Sequence, residues 1–288
     1  MNWTLTLAVP AAVTVAMLYG PAWPKEKAGS IVPGRGVRSI ELLERNGYSC
    51  PDGLLWENGG LWLADEGGQG LRRWTPEKTT LAHSRRPEIQ SPEDLVTDGR
   101  GNYYYTDDST GSVWRYRGGE LTKLAGKEQG LVSTEGIALA ADGRLLVGDG
   151  ELHAIFEVTE GQARQVITGV HKPESLVFDK DGGLYIADNE EHLLYYWKDG
   201  SLEVVLRDRE ISPETIAGFG DGLLMTDSLH GRLYVFHRGR RPEVLASFGG
   251  ALRKVHGVTP DGAGHVFVSV QTDLAQGNGH LFRLTLLP

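Results

Sequence analysis

The sequence predicts an all-β fold, a six-bladed β-propeller preceded by a hydrophobic, helical N-terminal segment. Three observations carry that expectation. One unit recurs six times along the chain of 288 residues. Its interval is that of a propeller blade. The leftover pieces at the two chain ends also complete each other.

The chain opens on a stretch unlike the rest. No charged side chain occurs from Asn2 to Pro24, and Lys25, Glu26 and Lys27 end the apolar run abruptly. About 20 apolar residues suffice to cross a bilayer, so residues 1–24 are long enough for a membrane anchor. They also fit a secretory signal with small-x-small cleavage after Ala22, although no charged n-region precedes them. Pro10 and Pro21 argue against a buried core helix. Residues 25–36 read as a linker, and residues 37–288 as the propeller.

The six units are PDGLLWENGGLWLAD from Pro51, PEDLVTDGRGNYYYTD from Pro92, TEGIALAADGRLLVGD from Thr134, PESLVFDKDGGLYIAD from Pro173, PETIAGFGDGLLMTD from Pro213 and HGVTPDGAGHVFVSV from His256. Aligned, they place Asp52, Glu93, Glu135, Glu174, Glu214 and His256 at one position, with steps of 41, 42, 39, 40 and 42 residues. Within a unit, an apolar run leads through a Gly-containing hairpin turn into a β-rich run such as LYIAD. An alternating third strand follows (SVWRYR, AIFEVT, LLYYWK), then a short fourth (LTKLA, ARQVI, LEVVL). The proline opening most units sits where a missing N–H costs nothing.

After His256 only three strands remain, HGVT, HVFVSV and HLFRLTLL, while RSIELLE at 38–44 is unpaired ahead of the first unit. If 38–44 supplies the fourth strand of the last blade, the ring closes and its edges are protected.

Composition narrows function. A net charge of −9 with no Lys/Arg-rich block argues against a nucleic-acid partner. The single Cys50 excludes an internal disulfide framework and reads as a small buried thiol. The sequence has no G-x-S-x-G elbow, no H-E-x-x-H and no phosphate-cradling loop.

If the five aligned carboxylates face a common channel, they raise one another's pKa, so a cation, protonation or an inserted basic side chain must compensate them. Hard oxygen ligands favour calcium, magnesium or manganese. The same acids could equally bond the backbone of adjacent blades and hold the ring together. His256 is the ring member suited to act as a general base near neutral pH. A second series, Asp65, Asp107, Asp149, Asp188 and Asp227, follows the second strand of five blades and reads as turn caps. Val270 and Gln271 break that series in the sixth unit. Asp188-Asn189 and Asp107-Asp108 are the pairs worth testing as ligands, and His153, His171, His192 and His230 fall on loops or outer strands.

The blade openings and the L-Y-h-(A/T)-D runs, most clearly SPEDLVTDGRGNYYYTDDSTG and TEGIALAADGRLLVGD, resemble the senescence marker protein/gluconolactonase/luciferin-regenerating enzyme superfamily. Paraoxonases and strictosidine synthases are its cousins. The resemblance implies a channel-mouth site in which a Glu, two Asn and an Asp hold a divalent metal, commonly calcium. By position these ligands fall on Asp52, Glu93, Glu135 and Glu174. Both Asn positions are Glu here, and the first Glu is Asp.

The resemblance thus implies a metal-dependent lactonase or esterase acting on a small organic substrate, with His256 and Glu214 as catalytic candidates. A metal-free version similar to strictosidine synthase would use Glu214 or Glu174 as its acid–base group. The competing expectation is a non-catalytic, membrane-tethered propeller serving as a binding or assembly subunit of a membrane protein complex. The family argument favours a membrane-anchored domain on the extracytoplasmic (periplasmic) face, secreted if residues 1–24 are cleaved. The basic residues after the span count the other way.

Overall fold

The computed structural model describes residues 13–14, 30–68, 70–83, 86–272 and 279–288. The apolar segment 1–24 lies outside them except for Val13–Thr14, a two-residue strand paired with Ser30 and Ile31. Among the described residues, no helix is long and apolar enough to cross a membrane.

Six antiparallel sheets form the ring expected from the repeat. Blade 1 is built from Pro51–Glu57, Gly60–Asp65, Gly70–Trp74 and Thr79–Leu81. Blade 2 uses Pro92–Thr97, Tyr103–Asp107, Ser112–Arg117 and Glu120–Ala125. Blade 3 uses Thr134–Leu139, Leu145–Asp149, Ala154–Thr159 and Gln162–Thr168. Blade 4 uses Pro173–Phe178, Leu184–Asp188, Leu193–Lys198 and Ser201–Arg207. Blade 5 begins at Ile216–Phe219 and continues through Gly222–Asp227, Arg232–Phe236 and Glu243–Gly249.

Blade 6 holds Lys254–Pro260, His265–Gln271 and Gly279–Leu286, and its outermost strand is Val37–Tyr48 from the other end of the chain. Leu42 faces Phe282 and Ile40 faces Leu284 in that pairing. The strand ahead of the first repeat and the last three strands of the chain thereby form one sheet.

The linker assigned to residues 25–36 needs correction. Ser30–Pro33 is a strand that runs antiparallel to Glu243–Gly249 and adds a fifth member to blade 5. It satisfies backbone groups that the outer edge of blade 5 would otherwise expose, and Ile31 is buried in the adjoining core.

The second strands are apolar along their whole length because both faces are covered. Every residue of Gly60–Asp65, Leu145–Asp149 and Leu184–Asp188 is buried. The core lies between blades. Ile137, Val147 and Phe156 of blade 3 pack with Val113 and Leu124 of blade 2, and Ile186 and Leu176 of blade 4 pack with Leu146 and Ile155 of blade 3. At the hairpins away from the channel mouth, aspartates fold the turn. Asp179 accepts from the N–H groups of Asp181 and Gly183, while Gly182 takes a left-handed φ of 77°.

Candidate functional site at the channel mouth

Five of the six innermost strands begin with an irregularity at the ring position. The register shifts between Pro51 and Leu54, Pro92 and Leu95, Thr134 and Ile137, Pro173 and Ser175, and Val255 and Val258. An extra residue in one strand bends it and redirects a side chain, and these shifts bracket Asp52, Glu93, Glu135, Glu174 and His256. Glu214 sits just ahead of Ile216, its N–H bonded to Thr226 O at 3.0 Å. Neighbouring blades nearly touch at this level. A Cβ on Gly257 would lie 1.9 Å from Asp52 O, and one on Gly136 would lie 2.7 Å from Ser175 Cα.

The expected residues come together in two groups. Carboxylate oxygens of Glu93, Glu135 and Glu174 all lie within 4.8 Å of one another. Asp52 instead directs its oxygens elsewhere: Oδ1 is 2.7 Å from His256 Nδ1, and Oδ2 accepts from Cys50 Sγ at 3.3 Å. An oxygen of Asp52 also lies within 4.8 Å of Glu66 and Glu93, linking the groups. Glu214 Oε1 is 3.8 Å from His256 Nδ1, and Oε2 accepts from Ser228 Oγ at 2.6 Å and Asn189 Nδ2 at 3.3 Å. The channel at this point is lined by Asp52, Glu93, Asp94, Glu174, Glu214 and Thr215.

Several participants were not singled out in the sequence. Lys172 reaches in with Nζ 3.0 Å from Glu174 Oε2 and 3.7 Å from Glu135 Oε1. It stands two residues before its ring acid, where other blades have Cys50, Ser91, Ser133, Ser212 and Lys254. Glu66 accepts from Ser91 Oγ at 2.7 Å, and Asp108 accepts from Ser133 Oγ. Glu66 and Ser228 each follow a turn aspartate, as Asp108 and Asn189 of the two pairs marked in the sequence do, so extending that column to every blade would have revealed them.

The electrostatics follow from crowding in a buried space. Burial, then the carboxylates of Asp52, Glu174 and Glu135, holds Glu93 well above the ordinary carboxylate range. Burial with Glu135 and Glu214 does the same to Glu174, against the pull of Lys172. Glu135 rises to about 7, mainly through burial, with Lys172 opposing. Asp94 also rises to about 7 through burial, although the N–H groups of Leu95 and Ile137 hold it lower than burial alone would. Burial acts to lower His256, but the Asp52 carboxylate, with Glu214 and Glu66, outweighs it and lifts the imidazole to about 9. Beside Asp52 and Glu214 the protonated form of His256 is favoured.

The turn aspartates have a different task. Asp188 Oδ2 accepts from the N–H groups of His171 and Lys172, and Oδ1 from that of Glu191. Asp107 bonds Gln90, Ser91 and Thr110 in the same way, and Asp149 bonds Val132, Ser133 and Leu152. Each clamps its own turn to the segment entering the innermost strand. Asp227 pairs with His230 at 2.9 Å. His153 and His192 adopt left-handed φ of 53° and 57° in equivalent turns, and their Nδ1 atoms meet the carbonyls of His171 and Ile211 in the following segments.

An all-oxygen set of converging carboxylates suits a hard divalent cation. Glu93, Glu135 and Glu174 meet that donor requirement, and their mutual repulsion supplies the driving force for binding one.

Ring, bulges and acidic mouth define a six-bladed propeller with a charged site at one end of its axis. Solved structures with this fold include a gluconolactonase from Xanthomonas campestris, at TM-score 0.70 and 15% identity over 93% of this chain and 99% of that one. A luciferin-regenerating enzyme is similar at TM-score 0.67 and 12% identity, covering 86% of this chain and 95% of that one. Virginiamycin B lyase from Staphylococcus aureus is similar at TM-score 0.62 and 15% identity, covering 86% of this chain and 99% of that one. No protein-family model matches the chain, and no curated protein matches it in sequence.

Proposed function

We propose that the channel mouth is the active site of a divalent-cation-dependent hydrolase acting on a small lactone or ester. The observation that carries the reading is the convergence of Glu93, Glu135 and Glu174 beside the Asp52–His256–Glu214 cluster. Similarity in fold to a gluconolactonase and to a luciferin-regenerating enzyme supports the same class. Glu93, Glu135 and Glu174 would hold the ion, with calcium the first candidate. Such an ion supplies Lewis-acid polarisation of the substrate carbonyl.

The remaining roles belong to the chain. Glu214, fixed by Ser228 and Asn189, takes the proton of the attacking water. His256 donates its proton to the departing alkoxide, and Asp52 orients the ring. Lys172 offsets part of the charge of Glu135 and Glu174.

The test is metal content together with turnover. Purified protein should carry stoichiometric calcium or a similar ion and open simple lactones. Glu93→Gln should lower ion occupancy and activity together, by roughly 100-fold or more in rate if cation polarisation is lost. Protein that holds no divalent ion and keeps its melting temperature in chelator overturns the reading.

A second reading rests on Lys172, whose ammonium already offers Glu135 and Glu174 a cation. In it, the propeller is a non-catalytic subunit tethered by residues 1–24 on the extracytoplasmic face. Recovery with integral membrane proteins in mild detergent would favour it, and a monomeric, metal-loaded, active protein would exclude it.

A further inference from the structure

Beside the carboxylate trio lies a group of different chemistry. Cys50, Asp52 and His256 each offer a ligand atom within 4.8 Å of the other two. Cys50 Sγ is 3.3 Å from Asp52 Oδ2, and His256 Nδ1 is 2.7 Å from Asp52 Oδ1. That nitrogen is off the geometry of a hydrogen bond, and neither ring nitrogen has a hydrogen-bond partner although both are sealed from solvent. The two groups meet at ion-pair distance, and a cation taking both as ligands would replace that pairing.

We propose that Cys50, Asp52 and His256 form a binding site for a borderline divalent cation, zinc, distinct from the hard-cation trio of Glu93, Glu135 and Glu174. The donor set decides the metal. A thiolate and an imidazole select zinc over calcium, and three protein ligands with one open position are a common zinc arrangement. Tetrahedral bonds of about 2.0–2.3 Å place ligand atoms about 3.3–3.5 Å apart; Cys50 Sγ and Asp52 Oδ2 already stand at 3.3 Å, and the His256–Asp52 pair must open from 2.7 Å to admit the ion. On binding, the Cys50 thiol and the protonated His256 each release one proton to solvent, leaving a thiolate and a neutral imidazole as ligands.

The backbone fixes the ligands in advance. Cys50 N–H donates to Asp65 Oδ1 at 3.0 Å, and Cys50 O accepts from Glu66 N at 2.8 Å. Asp52 and His256 stand on the innermost strands of blades 1 and 6, which meet where the ring closes, so the ion also staples that seam. The site does not depend on the hydrolase reading. Where that reading holds, zinc takes His256 out of proton transfer and inhibits.

Cobalt(II) is the probe, because the chain has one cysteine and a thiolate-to-cobalt charge-transfer band therefore reports Cys50 alone. Titration of the full chain should give this band at one equivalent, with zinc abolishing it and calcium leaving it. Cys50→Ser and His256→Gln should each lose the band, whereas Glu93→Gln should keep it. Cobalt bound without the band, no cobalt bound, or a band that survives His256→Gln would overturn the proposal. The wild-type spectrum decides even if a variant fails to fold. Lactone turnover is not part of this readout, so failure of the hydrolase reading leaves it intact.

Discussion

At the scale of single residues, a buried carboxylate can serve either the backbone or a ligand, and its partners tell the two apart. Asp188 is fully buried and spends both oxygens on three backbone N–H groups, those of His171, Lys172 and Glu191. Asp188→Ala would leave those donors unpaired, at a cost of about 3 kcal/mol or more. The urea midpoint should fall accordingly, and Asp188→Asn should lose less because its amide oxygen still accepts. Glu174 contrasts with it: Oε2 takes no backbone N–H and faces the Lys172 ammonium at 3.0 Å, with the carboxylates of Glu93 and Glu135 close by. Glu174→Gln should therefore cost little stability, or gain some. An equal loss in the urea midpoints of Asp188→Ala and Glu174→Gln would contradict this division of labour.

At the scale of strands, function rests on how closely the bulged inner strands approach. Gly257 has no room for a side chain, since its Cβ would meet Asp52 O at 1.9 Å. Gly257→Ala should cost about 1–3 kcal/mol through overpacking and push His256 away from Asp52. The imidazole titration, followed by NMR, should then move from about 9 back toward ordinary histidine values; an unmoved midpoint would show that Asp52 does not set it. This level was only half legible in the sequence. The period placed all six ring residues in register because each blade repeats the same local pattern. The bulges arise from two residues of one strand opposing one of its partner, a count that exists only once strands pair. Lys172 was missed because the place two residues before the ring position mixes Cys, Ser and Lys among the blades, and so mixed a column carries no periodic signal. Ser30–Pro33 was missed because four residues beside glycine and proline show no alternation; they are a strand only against the edge of blade 5.

At the scale of the whole molecule, the ring gathers more acid than Lys172 and His256 can balance, and stability must register the excess. Glu135 titrates near 7 in the fold against an ordinary value of 4.5, so its contribution is complete below about 4.5 and is lost as pH rises through about 7. His256, lifted from 6.5 to about 9, contributes fully below about 6.5 and loses that contribution as pH rises through about 9. Both slopes have the same sign. The surface carboxylates Asp98, Asp142 and Asp261 are shifted down and act oppositely, but their contribution is lost only below the ordinary carboxylate range. Ion-free protein should therefore melt at its highest temperature near pH 5 and at progressively lower temperatures toward pH 9. Lys172→Met should steepen that fall, because it removes the ammonium opposing Glu135 and Glu174. Saturating calcium should flatten it in the wild type, since a bound cation favours the ionised carboxylates. A melting temperature that stays level or rises from pH 5 to 9 in chelator would mean that the ring acids are already compensated, and with that the drive to bind a cation at the channel mouth would disappear.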